Sequence, residues 1–226
     1  MSKTKKKIGL LGGIGPEATG NFYLTLISKF QEKCLIESNK DFPQIIINSI
    51  PAPELIYQNI SKKELESYIK GLKELEGFDV DFIVMVCNTV YLFYERLQKE
   101  IKIPIINLRK EIKNSLSNRD VKLITVLGTP AVIKEGLYEF RGIESLNLSD
   151  EEIGVLSKAI FNFNKGFNKE KQVETVKKIA RKYLNRGSEI IVLGCTELAL
   201  MLKGENIPKI ETMDVLAEKT IEYFLK

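Results

Sequence analysis

Two cysteines in this chain stand where a thiol can do chemistry. Ile83-Val84-Met85-Val86-Cys87-Asn88-Thr89 and Ile190-Ile191-Val192-Leu193-Gly194-Cys195-Thr196 are both apolar runs that end in a cysteine, with a threonine one or two places on. Apolar runs of this length read as buried strands of a parallel sheet, and ligands of such sheets bind beyond the strand ends, where helix N-termini point free N–H groups. A thiol held at a helix N-terminus is expected to ionise more readily, because the N–H groups and the positive end of the helix favour the thiolate. Asn88, Thr89 and Thr196 would supply the capping oxygens. Such a thiol can serve as a base near neutral pH. A single buried cysteine is more often a small hydrophobe, but two at matching positions point to a working pair. The third, Cys34, follows the helical segment Glu17 to Lys33 with no strand before it, and reads as packing.

A second candidate feature is the loop Leu11-Gly12-Gly13-Ile14-Gly15-Pro16-Glu17-Ala18. It contains Gly-x-Gly-x-x-Ala between a strand and a helix, the outline of a dinucleotide site. That reading wants an acidic residue at the end of the second strand, where this chain has Asn48-Ser49-Ile50-Pro51. A loop that lets a small ligand approach the backbone at Gly13, Ile14 and Gly15 fits better. Gly128-Thr129-Pro130 would be its counterpart in the second half, with the Thr129 hydroxyl free either to face a ligand or to cap a helix.

The elements that must position these residues alternate. Strand-like runs occur at Ile8 to Leu11, Gln44 to Ile50, Phe82 to Val86, Ile103 to Asn107, Lys122 to Leu127 and Glu189 to Leu193. Helical spacing appears at Glu17 to Lys33, Lys62 to Glu76, Val90 to Lys99, Glu151 to Phe163, Lys169 to Asn185 and Met213 to Leu225. The alternation predicts an α/β fold with parallel sheets flanked by helices. The two halves also echo each other, since Lys7-Ile8-Gly9-Leu10-Leu11-Gly12 and Lys122-Leu123-Ile124-Thr125-Val126-Leu127-Gly128 each lead within four residues to a proline able to open a helix, Pro16 and Pro130. Two pseudo-symmetric lobes follow, residues 1–110 with 212–226 and residues 111–211, with the active site in the cleft between them and the last helix returning to the first lobe.

Composition limits the chemistry. A chain of 226 residues, 44% hydrophobic and 28% charged, can bury a sizeable core. The charge of +4 comes largely from a lysine cluster at Lys3 to Lys7, expected to be a solvated end, and the remaining charges alternate along helices, so neither nucleic acid nor a membrane is an expected partner. The apolar run after that cluster is too short for a secretion signal or a membrane span, which predicts a cytoplasmic protein. Three cysteines with no Cys-x-x-Cys, and no histidine anywhere, argue against a disulfide framework and against a common zinc site. The expected chemistry is that of reduced thiols, with no metal.

Taken together, Gly12-Gly13-Ile14-Gly15-Pro16-Glu17-Ala18-Thr19, Cys87-Asn88-Thr89 and Gly194-Cys195-Thr196-Glu197-Leu198 resemble the aspartate/glutamate racemase family over nearly the whole chain. Glutamate racemases usually carry histidine after the second Cys-Thr, where this chain has Glu197, so the resemblance favours the aspartate branch. It implies a cofactor-independent enzyme, commonly a homodimer, whose two cysteines take opposite faces of the α-carbon of a small amino-acid substrate. Inverting a stereocentre by proton transfer needs a base on one face and an acid on the other. The implied catalytic pair is Cys87 and Cys195; Gly13, Ile14, Gly15, Asn88, Thr89, Val90, Thr129, Thr196 and Glu197 would bind the substrate. Members commonly have histidine where this chain has Tyr91, which implies a lower rate or a changed substrate. Aspartate-preferring members can place an arginine in the loop after the second strand, but Asn48 to Asn59 holds no basic residue. Ile160-Phe161-Asn162-Phe163-Asn164-Lys165-Gly166 resembles the segment that carries a lysine for the side-chain carboxylate, which makes Lys165 the candidate specificity residue. The open alternatives are a related hydantoin racemase, a maleate-type isomerase, or a ligand-binding homologue with a degenerate site; a one-thiol malonate decarboxylase is disfavoured by the presence of both cysteines.

Overall fold

A computed structural model describes residues 6–53 and 62–226. Lys3 and Lys5 of the N-terminal cluster, and residues 54–59 of the loop expected to lack a basic group, lie outside the described residues. In chain order the elements are β1 (Lys7–Gly12), α1 (Pro16–Glu32), β2 (Gln44–Ser49), α2 (Lys62–Glu76), β3 (Phe82–Met85), a 3-10 turn (Thr89–Phe93), α3 (Tyr94–Lys99), α4 (Leu108–Asn118), β4 (Leu123–Gly128), α5 (Pro130–Lys134), β5 (Glu144–Ser145), α6 (Asp150–Asn164), α7 (Lys169–Asn185), β6 (Ile190–Gly194), α8 (Thr196–Met201), β7 (Lys209–Glu211) and α9 (Thr212–Leu225).

The strands form two parallel sheets, β2-β1-β3 and β5-β4-β6-β7. Each apolar run sits where its composition requires: β3 and β6 are buried along their whole length, and β1 from Ile8 onward. The internal echo is visible in the topology. β1 and β4 occupy equivalent places, with β3 beside β1 (Ile8 opposite Phe82) and β6 beside β4 (Ile124 opposite Ile190). Both strands that lead to the cysteines therefore end on the same side of their own lobe, next to the strand that leads into the proline-opened helix.

Two expected elements differ. The run Ile103 to Asn107 makes a single parallel bridge, Ile83 with Ile105, at the place where β7 flanks β6 in the other lobe. Pro104 has no N–H to offer a ladder, and the Ile105 N–H donates instead to Gln98 Oε1 at 2.7 Å, so pairing stops there. The expected helix from Val90 begins as the 3-10 turn, whose tight closure of the Tyr91 N–H on the Asn88 carbonyl (3.0 Å) brings Val90 and Tyr91 into the core. α5, β5, α8 and β7 are too brief to show a period, whereas α4, with Leu108, Ile112 and Leu116 buried at helical spacing, is a further helix beyond those expected.

α9 packs along α1 and α4. Lys29 of α1 bonds Asp214 at 2.7 Å and Glu218 at 2.8 Å, and Lys33 bonds Glu218 at 2.9 Å. The larger hydrophobic cluster joins Leu10, Phe22 and Val84 of the first half to Ile124, Tyr138 and Val192 of the second, so the two sheets share one core. No helix among the described residues is long and apolar enough to cross a membrane.

Candidate active site

β3 ends at Met85, but the Val86 N–H still donates to the Leu11 carbonyl at 2.8 Å, carrying the chain one step further before Cys87. Cys195 follows β6 directly and is the N-cap of α8. Both thiols line one cleft. From the first lobe the cleft receives Ile14 and Gly15 of the glycine loop, with Asn88 and Thr89 after the first cysteine. From the second it receives Thr129, Thr196 and Glu197. Its remaining wall comes from the C-terminal turns of α6: Ile160, Phe161 and Asn164.

The loop geometry explains its glycines. Gly13 and Gly15 adopt φ of 87° and 85°, a region open to glycine and strained for other residues. A Cβ on Gly15 would lie 2.3 Å from Glu197 Oε1, so the bare backbone lets the two lobes close on each other at this point. Gly13 itself is behind the cleft, and its N–H donates to Thr19 Oγ1 at 3.0 Å while the Thr19 hydroxyl donates to the Gly15 carbonyl at 3.1 Å. The Gly13 amide is thus committed to holding the loop rather than to a ligand.

The expectation of readily ionised thiols is corrected by the structure. Burial pushes Cys87 up to about 11. The N–H groups of Val90 and Thr89 and the Thr89 hydroxyl oppose that rise, and the nearby Glu197 carboxylate adds to it. Burial also raises Cys195 well above the ordinary thiol value, assisted by the charge of Glu197 and by the hydrogen bond the thiol donates to Glu197 Oε2 at 2.9 Å. The helix-end donors act in the expected direction; desolvation outweighs them. Thr196 is no cap here, since its hydroxyl donates to the same Glu197 oxygen at 2.8 Å. Val90 contributes its backbone N–H to Cys87 and keeps its side chain in the core.

Asn88 is buried, its Oδ1 accepting the Tyr138 hydroxyl from the other lobe. Its Nδ2 is buried with no hydrogen-bond partner among the described residues. A buried amide N–H left open in a cleft is a donor awaiting an acceptor. Thr89 and Thr129 join hydroxyls across the lobes at 3.1 Å, and Thr129, which lines the cleft, also caps α5 by accepting the Val132 N–H at 3.3 Å, the second of the two roles considered for it. Tyr91 is buried with its hydroxyl accepting the Met85 N–H at 3.4 Å; burial raises its pKa far above the ordinary phenol value.

Two other cysteine and lysine placements matter. Cys34 is exposed, at φ 53° just past α1, instead of packed as expected. Lys165 caps the end of α6, exposed, with its ammonium 4.0 Å from the centre of the Phe161 ring and outside the cleft lining. Sequence reasoning did not pick out Ile160, Phe161 and Asn164 as lining residues, although their segment was singled out, because only the packing of α6 aims them inward. Nothing in the sequence marked Tyr138.

Comparison with known proteins bears on the family and the fold. The family model Asp/Glu/Hydantoin racemase matches residues 11–220. The broad specificity amino-acid racemase RacX of Bacillus subtilis is 27% identical, over 96% of this chain and 98% of its own. Glutamate racemase of Aquifex pyrophilus is 32% identical over 61% of this chain and 56% of its own. Among solved structures, an aspartate racemase homologue from Pyrococcus horikoshii OT3 superposes with a TM-score of 0.75 at 28% identity, covering 98% of this chain and 100% of that one. The aspartate racemase of Picrophilus torridus shares the fold, with a TM-score of 0.81 at 24% identity, covering 98% and 95%.

Proposed function

This chain belongs to the Asp/Glu/Hydantoin racemase family, and from that premise we propose that it racemises a free amino acid by moving a proton between Cys87 and Cys195. The observation that carries the reading is that two cysteines from matched strand ends line one cleft. One thiolate takes the α-proton, breaking the C–H bond and leaving the electron pair delocalised into the substrate's α-carboxylate. The opposite thiol then gives its proton to the other face of the α-carbon, so a new C–H bond forms with inverted configuration and the two cysteines exchange protonation states. The same cycle run backwards returns the first enantiomer.

Substrate and site supply what each lacks. Burial in the cleft disfavours a thiolate, and an entering α-ammonium group brings the positive charge that favours one. The open Asn88 amide is the donor for the α-carboxylate as its charge grows. Neither a metal nor pyridoxal phosphate takes part in this scheme. The lobes are taken as residues 1–110 with 212–226 and residues 111–211, a division supported by the docking of α9 on α1 and α4. The homodimer implied by the resemblance is part of the same proposal. An aspartate or glutamate substrate, as expected from the sequence, depends on Lys165 turning away from Phe161 and into the cleft.

Incubating the protein with single enantiomers in deuterated water tests the reading. The racemase incorporates deuterium at the α-carbon and forms the opposite enantiomer, whereas a ligand-binding homologue returns the amino acid unlabelled.

A further inference from the structure

Resting on that racemase reading, we infer that the amino acid turned over here carries no carboxylate on its side chain. With the α-carbon between the two thiols, the substrate's own charges fall among Asn88, Thr89, Thr196 and Glu197. What remains for the side chain is Ile14, Ile160 and Phe161, with the Gly15 backbone and Thr129 beside them and Asn164 at the edge. The larger side chains of this wall are apolar and the Thr129 hydroxyl is already bonded to Thr89 and to the Val132 N–H, so a carboxylate pressed on Ile14, Ile160 and Phe161 has its hydration removed with little in return.

The charges around the cleft point the same way. The charged side chain that lines it is Glu197, with Oε2 bonded to Cys195 and Thr196 and Oε1 facing Gly15. This carboxylate can pair with the substrate's α-ammonium group, and it repels a second carboxylate brought in by the side chain. The neighbouring cations already have partners. Lys165 lies on the Phe161 ring, and Lys169 lies 4.5 Å from the centre of the Phe163 ring while bonding Glu17 at 2.7 Å. Of the two, Lys165 alone stands next in sequence to a lining residue, and it would have to give up its ring contact to meet a substrate. An aliphatic or thioether side chain, or the methylene stem of a basic one, fits this wall without such a change.

The experiment is a panel of kcat/KM values from α-proton exchange in deuterated water, with alanine, leucine, methionine, lysine, aspartate and glutamate as substrates for the full-length protein. Leucine, methionine or lysine is expected to lead aspartate and glutamate by about tenfold or more, the scale on which an unpaired buried polar group discriminates. Phe161→Lys, which sets an ammonium group in the wall, is expected to raise the aspartate-to-leucine ratio by about tenfold; the wild-type ordering decides alone if that variant folds poorly. Aspartate or glutamate leading in the wild type, or a folded Phe161→Lys chain whose ratio does not rise, would overturn the inference and leave the racemase reading standing. Exchange with none of the six would overturn the racemase reading, and this inference with it.

Discussion

Cys87, Cys195 and Cys34 differ in surroundings more than in sequence context. The first two are buried in the cleft and the third is exposed. Serine in place of either cleft cysteine keeps the volume but replaces the thiol with a far weaker acid. Cys87→Ser and Cys195→Ser are each expected to lower α-proton exchange by about a thousandfold or more, and Cys34→Ser to leave it intact. Near-normal exchange in either cleft variant would remove the two-thiol mechanism. The raised thiols also set a pH dependence. A group whose pKa burial raises to about 11, as for Cys87, gains thiolate about tenfold for each pH unit below that value. We therefore expect kcat/KM to climb from pH 7 to pH 9, and a flat or falling profile would argue against a thiolate base. Iodoacetamide at pH 7.5, followed by peptide mass spectrometry, should label Cys34 first and the cleft cysteines slowly; the reverse order would contradict their burial.

Among the elements, α6 carries the cleft wall, so its anchorage matters for the site. Ser149 caps it, accepting the Glu152 N–H at 3.3 Å while Glu152 accepts the Ser149 N–H at 3.0 Å. Glu152 also accepts from Lys182 of α7 at 2.6 Å and from the Tyr183 hydroxyl at 2.6 Å. Hydrogen bonding to Lys182 first, and to Tyr183 next, lowers the Glu152 carboxyl to about 2. A carboxyl depressed in the fold stabilises it above its unfolded value, and that contribution fades as pH falls from 4.5 to about 2. Ser149→Ala is expected to cost about 1 kcal/mol, which for a chain of this size is about 2 to 4 °C in Tm. Glu152→Gln should lower Tm at pH 7 and converge on wild type as pH approaches 2. A deficit that persists undiminished in acid would show that packing, and not the ionised carboxylate, holds the two helices together.

At the scale of the whole molecule the two sheets are tied by a common core and by bonds across the cleft. Ile124, Tyr138 and Val192 belong to the same apolar cluster as Leu10 and Val84. Calorimetry should therefore show one unfolding transition, with calorimetric and van't Hoff enthalpies in agreement; two separated transitions would mean that the lobes fold independently. Tyr138→Phe tests the tie most directly, because it strands Asn88 Oδ1 in a buried place. A loss of about 1 to 3 kcal/mol in stability is expected, with a fall in exchange because Asn88 is no longer held. Unchanged stability would mean that the cross-lobe bond contributes nothing. In solution, light scattering should return twice the 25.7 kDa chain mass for the proposed homodimer, and a mass of one chain would remove that part of the proposal.

Much of this was legible in the residues. The paired Cys-Thr strand ends, the glycine loop and the repeated strand-to-proline pattern are local signals, written in consecutive residues whose backbone preferences and burial do not depend on distant partners. They determined the α/β class, the twofold character of the chain and the two cysteines that meet in the cleft. What only the tertiary structure decided are quantities set by neighbours far away in sequence. The ionisation of the thiols reversed because desolvation by the closed lobes exceeds the local pull of the helix ends. Pro104 and the Gln98 side chain turned an expected strand into one bridge. Above all, the character of the side-chain wall could not be read in advance, because it depends on how α6 lies against β4 and α8. The same packing aims Ile160 and Phe161 into the cleft and leaves Lys165 on its outer rim.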